Sequence, residues 1–427
     1  MKSADPISLV LCGSGGMGAV YLQELFERTD GGLFRIEGVV DPFPERSPYL
    51  GRLHAQKIPI YADLGTFYGR HSAELAIVSS PIQYHCQQTC LALENGSHVL
   101  CEKPVAATIQ EGRRMAEARA RAGRWVAIGY QWSFSAAIQD LKTDILSGLF
   151  GKPRRMKCLY LWPRDLGYYE RNDWAGKKRD RSGAWILDSP ANNAMAHDLH
   201  NIFYVLGRDR NSGAVPVEVE AELYRAYDLD NFDTAAARCR TDGDVEILFY
   251  VSHVSAADKG PVFLYDFEKG TVAGEGRNTD IRARFTDGTV KNYGCPDREP
   301  MKKLRDCLES ARTGIPPVCG LEAALSQTLC LNGMQDSMPD IATFPEHLLR
   351  RETAPDRRRI WVAGLDEIFE RCYETLRLPS ELDVPSRDEP SRQKWTPGQN
   401  PGPRPPWSRP GVKIDLTRYE SFPSARA

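Results

Sequence analysis

The chain reads as an α/β protein in two unlike halves: a doubly wound parallel sheet first, then an α+β domain with a large, mainly antiparallel sheet. A proline-rich C-terminal tail follows. Three observations predict this. Short apolar runs alternate with helical periods up to about Tyr130, the pattern of strands covered by helices on both faces. Strand patterns with few helices between them then dominate, bounded by turn signals at Asp242-Gly243, Lys269-Gly270 and Asp287-Gly288, which is how antiparallel ladders are joined. Finally, from Glu381 the composition shifts, with Pro401-Gly402-Pro403-Arg404-Pro405-Pro406 excluding helix and interior strand.

Each element follows from local pattern. Ser8–Cys12, Phe34–Val40, Leu75–Ser80, His98–Cys101 and Trp125–Tyr130 are apolar runs of strand length. Between them, Gly18–Arg28, Ile82–Asn95 and Thr108–Ala122 carry helical spacing, and Gly96 and Gly123 stop the last two. In the second half, Lys152–Trp162, Val217–Arg225, Thr234–Arg240, Val245–Val254, Val262–Phe267 and Ile281–Phe285 read as strands. Helices return at Glu299–Arg312, Leu321–Ser337 and Asp356–Leu376, and one of them is expected to pack back on the first domain. The domains are drawn at 1–133, 134–380 and 381–427. The tail is either a solvated extension or an arm around this subunit or a neighbour, and Trp395, Trp407, Tyr419 and Phe422 favour the arm.

Bulk properties narrow the function. The 427 residues are 41% hydrophobic and 26% charged with a formal net charge of −2, so no strong field points to nucleic acid or an anionic membrane. No apolar run reaches the ~20 residues that span a bilayer, and no export signal precedes the first strand. The 11 cysteines form no Cys-x-x-Cys pair. They suit a reducing cytoplasm better than a disulfide framework or a zinc site.

Gly13-Ser14-Gly15-Gly16-Met17-Gly18 matches G-x-G-x-x-G between a strand and a helix, the context that makes it a dinucleotide site. Gly13 allows the tight turn, Gly15 the approach of the pyrophosphate, and Gly18 close packing of helix on strand. The phosphates then lie at the positive helix N-terminus. Asp41 ends the second strand. Its carboxylate would bind ribose hydroxyls and repel a 2′-phosphate, which favours NAD over NADP, although Arg46 lies nearby. A third motif, Glu102-Lys103-Pro104, follows strand His98–Cys101 and points Lys103 into the crevice at the carboxyl edge of the sheet.

With these motifs in place, the chain resembles the glucose–fructose oxidoreductase / inositol dehydrogenase family over roughly residues 6 to 340. Ser79-Ser80-Pro81 with His85 is similar to the family loop after the fourth strand, and Gly129-Tyr130-Gln131 to its sixth-strand ending. Gly148-Leu149-Phe150-Gly151 is similar to its entry into the second domain. The resemblance implies that Ser14, Gly16, Met17, Ser79, Ser80, Pro81, His85, Glu102 and Gln131 join the cofactor site, and that Lys103 meets both substrate and nicotinamide. It also implies a homodimer or homotetramer formed through the second sheet.

The family's Asp-then-His motif is altered here. Counting forward from Gly183 puts Asp188 in the Asp position. Counting back from Leu206-Gly207 puts His197 in the His position and Asn193 four residues before it. Either Ser189–Asn193 is an insertion or Asn replaces Asp. Asn193, His197 and His200 stand at i, i+4 and i+7, so on a helix they would share a face and converge on one pocket. Asn is a poor zinc ligand and no third strong ligand is at hand, so no metal is expected.

The chemistry expected is oxidation of a hydroxyl on a sugar, cyclitol or glycoside to a ketone, or its reverse. His197 is a natural general base. Lys103 either orients the hydroxyl as an ammonium or, if desolvated, shares the base role. Asn193 cannot transfer a proton but can hydrogen-bond a sugar. The aromatic and basic stretch Trp162–Trp185, with Arg164, Tyr168, Tyr169, Trp174, Lys177, Lys178 and Arg179, is expected to cover the substrate. Two alternatives stay open: a hydrolase or lyase that borrows bound NAD for transient oxidation, and a non-catalytic NAD-binding regulator.

Overall fold

The computed structural model describes residues 6–27, 32–354, 357–382 and 405–419. The first domain runs β1 (Ile7–Cys12), α1 (Met17–Glu27), β2 (Phe34–Val40), α2 (Leu50–Ala55), β3 (Ile60–Tyr61), α3 (Leu64–Tyr68), β4 (Leu75–Val78), α4 (Ile82–Glu94), β5 (His98–Cys101), α5 (Ile109–Ala122) and β6 (Val126–Ile128). Its six strands lie in the order β3-β2-β1-β4-β5-β6, and every pairing is parallel. The four residues of β4 are all buried, as a strand covered on both faces requires. The expected helix starts and stops have local causes. Thr108 and Glu111 form a reciprocal capping box at the start of α5, and Gly123 closes it in the left-handed conformation.

The second domain continues with α6 (Ala136–Leu146), β7 (Pro153–Leu161), α7 (Leu166–Glu170), α8 (Ala196–Val205), β8 (Pro216–Arg225), β9 (Thr234–Thr241) and β10 (Glu246–Ser252). Then come β11 (Lys259–Phe267), β12 (Gly270–Glu275), β13 (Ile281–Phe285), β14 (Val290–Gly294), α9 (Lys302–Thr313) and α10 (Leu321–Ser337). The chain continues through β15 (Ala342–Thr343), β16 (Leu349–Ala354), β17 (Arg357–Val362), α11 (Leu365–Thr375) and β18 (Ile414–Asp415). Ten strands form one sheet, ordered β14-β13-β12-β11-β7-β10-β9-β8-β15 with β18 also on β8. Most neighbours are antiparallel, but β10 pairs in parallel with β7 and β15 with β8. The turns at Lys269-Gly270 and Asp287-Gly288 join two hairpins. Both α9 and α10 reach the first domain: α9 packs on β1 and β5, and α10 on α5 and β6.

One element differs from expectation. The predicted helix Asp356–Leu376 is a strand over Arg357–Val362 and a helix only from Leu365. The β-branched and aromatic residues Ile360, Trp361 and Val362 pair across to β16, where cross-strand packing outweighs the helical spacing. Gly364, at φ +79°, then turns the chain into α11.

Part of the outer face of the large sheet is covered by the chain itself. α11 lies on β7 and β10. The Tyr250 hydroxyl donates to the carbonyls of Cys372 and Arg377, and Arg238 forms a bidentate pair with Glu381. Residues 405–419 also return to this subunit: β18 pairs with β8, and buried Trp407 packs edge-on against Tyr224 and Phe344. Trp395 and Phe422 lie outside the described residues. Phe369 on α11 is fully buried, so Phe369→Ala is expected to cost about 3–5 kcal/mol. A urea midpoint equal to wild type would show that α11 adds nothing to the fold.

Candidate active site

Parallel strands place their following loops on one edge, and the candidate residues gather there. The glycine turn follows β1, Asp41 follows β2, Ser79-Ser80-Pro81 follow β4, Glu102-Lys103-Pro104 follow β5, and Gly129-Tyr130-Gln131 follow β6. Sheet order reverses between β1 and β4, the crevice where open α/β sheets bind ligands.

The turn has the shape a pyrophosphate needs. Gly13 sits at φ +84°, and a Cβ there would lie 2.7 Å from the Ser79 carbonyl oxygen. A Cβ on Gly18 would stand 2.0 Å from the Gly13 carbonyl oxygen, so these two glycines are demanded by packing. Gly15 and Gly16 differ: a Cβ on either meets no protein atom within 4 Å. The open space above them lies at the first turn of α1, whose leading N–H groups have no intrahelical acceptor. Met17 opens that helix and is half-buried. Buried Ser14 donates from N–H and Oγ to Asp41 Oδ2, at 2.8 and 2.6 Å, so the carboxylate stands beside the turn. Buried Ser79 Oγ has no partner among the described atoms. These features fit a dinucleotide, and Asp41 disfavours a 2′-phosphate. Gly15→Ala should keep the wild-type melting temperature while raising the Kd for NADH at least about tenfold, because the methyl fills only the pyrophosphate space. Unchanged NADH affinity would remove this turn from the cofactor site.

His85 and Glu102 support the site from below. The two ring nitrogens of His85 lie 2.8 Å from the Pro104 carbonyl and 2.9 Å from the Ser80 carbonyl. The ring thus ties the loops after β4 and β5 together. Glu102 is buried. Its carboxylate accepts from the Tyr21 hydroxyl at 2.7 Å and pairs with the Lys303 ammonium. Burial alone would raise the Glu102 pKa, but Lys303 and Tyr21 outweigh it and hold the carboxyl below its ordinary value. Gln131 begins the short 3-10 turn Gln131–Phe134 and is half-buried.

Lys103 reaches across to the second domain. Its ammonium donates to the Asn193 backbone oxygen at 2.6 Å and to Asn193 Oδ1 at 3.0 Å. Asn193 Nδ2 donates in turn to Asp188 Oδ1 at 2.8 Å, and Asp188 Oδ2 accepts the Gly176 N–H at 2.7 Å. Both candidates for the acidic position therefore enter the site, with Asn193 between Lys103 and Asp188. Leu187, at φ +52°, turns the chain into Asp188; this left-handed conformation is costly for a branched side chain. Burial lowers the Lys103 pKa to about 8, partly opposed by Glu102 and reinforced by Lys303. Burial raises that of Asp188.

Asn193 does not share a helical face with the histidines. α8 begins at Ala196, and Asn193 lies in the preceding turn with its N–H on the Ser189 carbonyl. Residues 189–195 form successive turns instead, with the Asn192 and Asn193 N–H groups on the Ser189 carbonyl and the Met195 N–H on the Pro190 carbonyl. His197 is half-buried, edge-on to Tyr130 at 5.7 Å, with Nδ1 unpartnered. Burial, then the positive charge of Lys103, drives its pKa well below the usual range, so it is neutral at pH 7. His200 lies deeper. It stacks on Tyr130 at 3.8 Å, and its Nε2 lies 2.9 Å from Ser133 Oγ. Burial pushes its pKa down to about 3.

The stretch 162–185 contributes unevenly. Trp162 stacks on Tyr160 at 5.3 Å. Trp174 packs with Ile82, Ala107 and Ile186 at the junction with the first domain. Tyr169 is buried, its hydroxyl 2.8 Å from His253 Nδ1. Among the described residues, no group of three or more His, Cys, Asp or Glu could hold a metal ion, and no helix is long and apolar enough to cross a membrane.

Sequence reasoning missed Lys303, Tyr21 and Asp198. Lys303 was legible in principle: it shares the buried stripe of α9 with Cys307 and Ser310, and a lysine on such a stripe needs a buried partner. Asp198 is buried behind His197 with Oδ1 unpartnered, and burial raises its pKa to about 8. Lys303→Met strands the Glu102 carboxylate and should cost about 3–5 kcal/mol. Adding Glu102→Gln removes the lone charge and should restore much of the loss. Equal urea midpoints for wild type and the single variant would show that the pair does not hold the fold.

The parallel sheet with its glycine turn has the architecture of a dinucleotide-binding scaffold. Residues 7–130 match the Gfo/Idh/MocA oxidoreductase family, NAD-binding Rossmann fold. A 1,5-anhydro-D-fructose reductase of Ensifer adhaerens is 30% identical over 144 residues, 33% of this chain and 40% of the relative. An inositol 2-dehydrogenase of Streptomyces avermitilis is 27% identical over 155 residues, 36% and 44% of the two chains. This chain thus spans less than half the length of these two curated relatives. Among solved structures, the WlbA dehydrogenase of Bordetella pertussis, in complex with NADH and UDP-GlcNAcA, superposes with a TM-score of 0.66 at 20% identity. The match covers 79% of this chain and 97% of that one, and it shows a shared fold.

Proposed function

We propose that this protein is an NAD-dependent dehydrogenase that oxidises a hydroxyl of a sugar, cyclitol or glycoside to a ketone, or catalyses the reverse reduction. The observation that carries the reading is Lys103: a half-buried amine with its pKa lowered to about 8, held by Asn193 at the sheet edge that carries the glycine turn. The reductase and dehydrogenase names of the relatives support the reaction class.

Bound NAD supplies the hydride acceptor. Two of the three Lys103 N–H groups go to Asn193 when the amine is charged, leaving one toward the substrate hydroxyl. The neutral amine takes the hydroxyl proton as the carbon's hydrogen leaves with its bonding pair, and the carbonyl forms. In the reverse direction the ammonium returns the proton. His197, neutral at pH 7, lies close enough to Lys103 to feel its charge, and its ring helps to shape the site. Asp188 acts through Asn193 and keeps the amide oriented toward Lys103. His200 is a positioning residue that packs Tyr130 and His197 from behind. Residues near Trp162 and Trp174 close over the sugar. For the homo-oligomer, we propose self-association through the part of the sheet that α11 leaves partly exposed, around Val262, Leu264 and Ala273.

The base must be unprotonated to act, so kcat/KM for oxidation should rise with pH through about 8 and level off above it. Lys103→Met should lower kcat at least about 100-fold with little change in NADH affinity. One NADH should form per product in a panel of sugars, inositols and glycosides. Glycoside cleavage without net NADH would instead show that the cofactor is recycled, and full activity of Lys103→Met would remove the lysine from the chemistry.

A further inference from the structure

The second domain carries two guanidinium groups close to the site: Arg171, which acts on Lys103, and Arg164, which neighbours Arg171; no acid among the described residues pairs with either. Arg164 is fixed at its backbone: its N–H donates to the His253 carbonyl and its own carbonyl accepts the Tyr227 hydroxyl. Its guanidinium lies 3.7 Å from the centre of the Trp162 ring and 4.6 Å from that of Tyr168, and its buried Nε has no partner. Arg171 lies 3.7 Å from the Tyr168 ring centre and donates to the Tyr168 carbonyl. The Tyr168 ring is therefore shared by two cations. Among the described residues, neither arginine forms an ion pair. The acids in these elements have other partners. Asp165 caps α7, Glu170 pairs with Arg358, and Asp258 pairs with Arg277. Asp233 accepts the Ala226 and Tyr227 N–H groups.

The two arginines belong to the same electrostatic field as the reacting residues. Arg171 and Lys103 both act on the Asp188 carboxyl, and Arg164 and Arg171 both act on His253. The nearby His197 and His253 are neutral, and Asp198 is held largely protonated at pH 7. With the Glu102–Lys303 pair closed on itself, Lys103 and Arg171 face Asp188 and Arg164 adds a further cation beside Arg171, an excess of positive charge before the positively charged nicotinamide is added. Aromatic faces next to unpaired guanidinium forks suit a sugar ring bearing an anionic substituent.

We infer that the substrate is an acidic sugar, a ring polyol carrying a carboxylate or a phosphate, whose anionic group is held by Arg164 with Arg171. This rests on the dehydrogenase site proposed above, and it names the class of sugar that site takes. Nicotinamide fluorescence of the NADH-loaded protein tests it without turnover. D-glucuronate, D-glucose 6-phosphate and D-glucose are titrated in turn. At least one anion should bind at least about tenfold tighter than glucose, and the better of the two identifies carboxylate or phosphate. Arg164→Gln should bring that anion down to the glucose level with NADH affinity retained, and Arg164→Lys should fall between. High salt should erode the preference. Equal binding of all three sugars, or a preference that survives Arg164→Gln, overturns the inference. Failure of the dehydrogenase reading would appear separately, as no NADH formed from any sugar, acidic or neutral.

Discussion

The buried pair between Glu102 and Lys303 is the interaction on which the rest of the site depends. A carboxylate and an ammonium removed from water tolerate one another only in close contact and with their remaining hydrogen bonds made. Tyr21 and the Gly129 carbonyl complete that contact. The four groups come from α1, the end of β5, the end of β6 and α9. The pair therefore fastens the cofactor helix, two strand ends and a helix from late in the chain at one point. Lys103 is the next residue along, and its N–H lies 3.2 Å from Glu102 Oε2. Its backbone is oriented by what lies beneath it, while its lowered basicity comes from burial, which Glu102 partly opposes.

From that point the site is assembled across two domains. The first supplies the glycine turn, Asp41 and Lys103. The second supplies Asp188, Asn193 and His197 on the turn and helix that follow β7. The Lys103–Asn193 hydrogen bonds are the direct bond between the two sets. The amide is suited to this position because it accepts from an ammonium while donating to a carboxylate. An Asp at 193 would place two carboxylates side by side, and one would be forced to bind a proton. The departure at Asn193 and the retention of Asp188 thus form one arrangement: charge at Asp188 and a neutral relay at Asn193.

Parts of this were legible from sequence for physical reasons. Parallel strands send their loops to a single edge, so motifs placed after successive strands converge without further information. That made Gly13–Gly18, Asp41 and Lys103 readable together. Local spacing also set α4, α5 and α10, whose caps lie within a few residues of their ends. The same logic misread Asp356–Leu376, because the gain from pairing β17 with β16 is invisible to a single-segment pattern. It also put Asn193 on the histidines' helix, because i, i+4 spacing cannot show where a helix starts.

By itself, then, the sequence determined the two sheets, the dinucleotide turn and the residue types that gather at the carboxyl edge of the first sheet, since these depend on short-range periodicity and backbone geometry. The tertiary structure alone decided which charges meet. Lys303 finds Glu102 across 201 positions, Arg238 finds Glu381 across 143, and Arg164 pairs with no acid among the described residues. It also decided that the chain's own C-terminal segment covers part of the outer face of the large sheet. Such outcomes depend on which surfaces the fold brings together, and the free energy of a buried charge is set by that surrounding space more than by its neighbours in the chain.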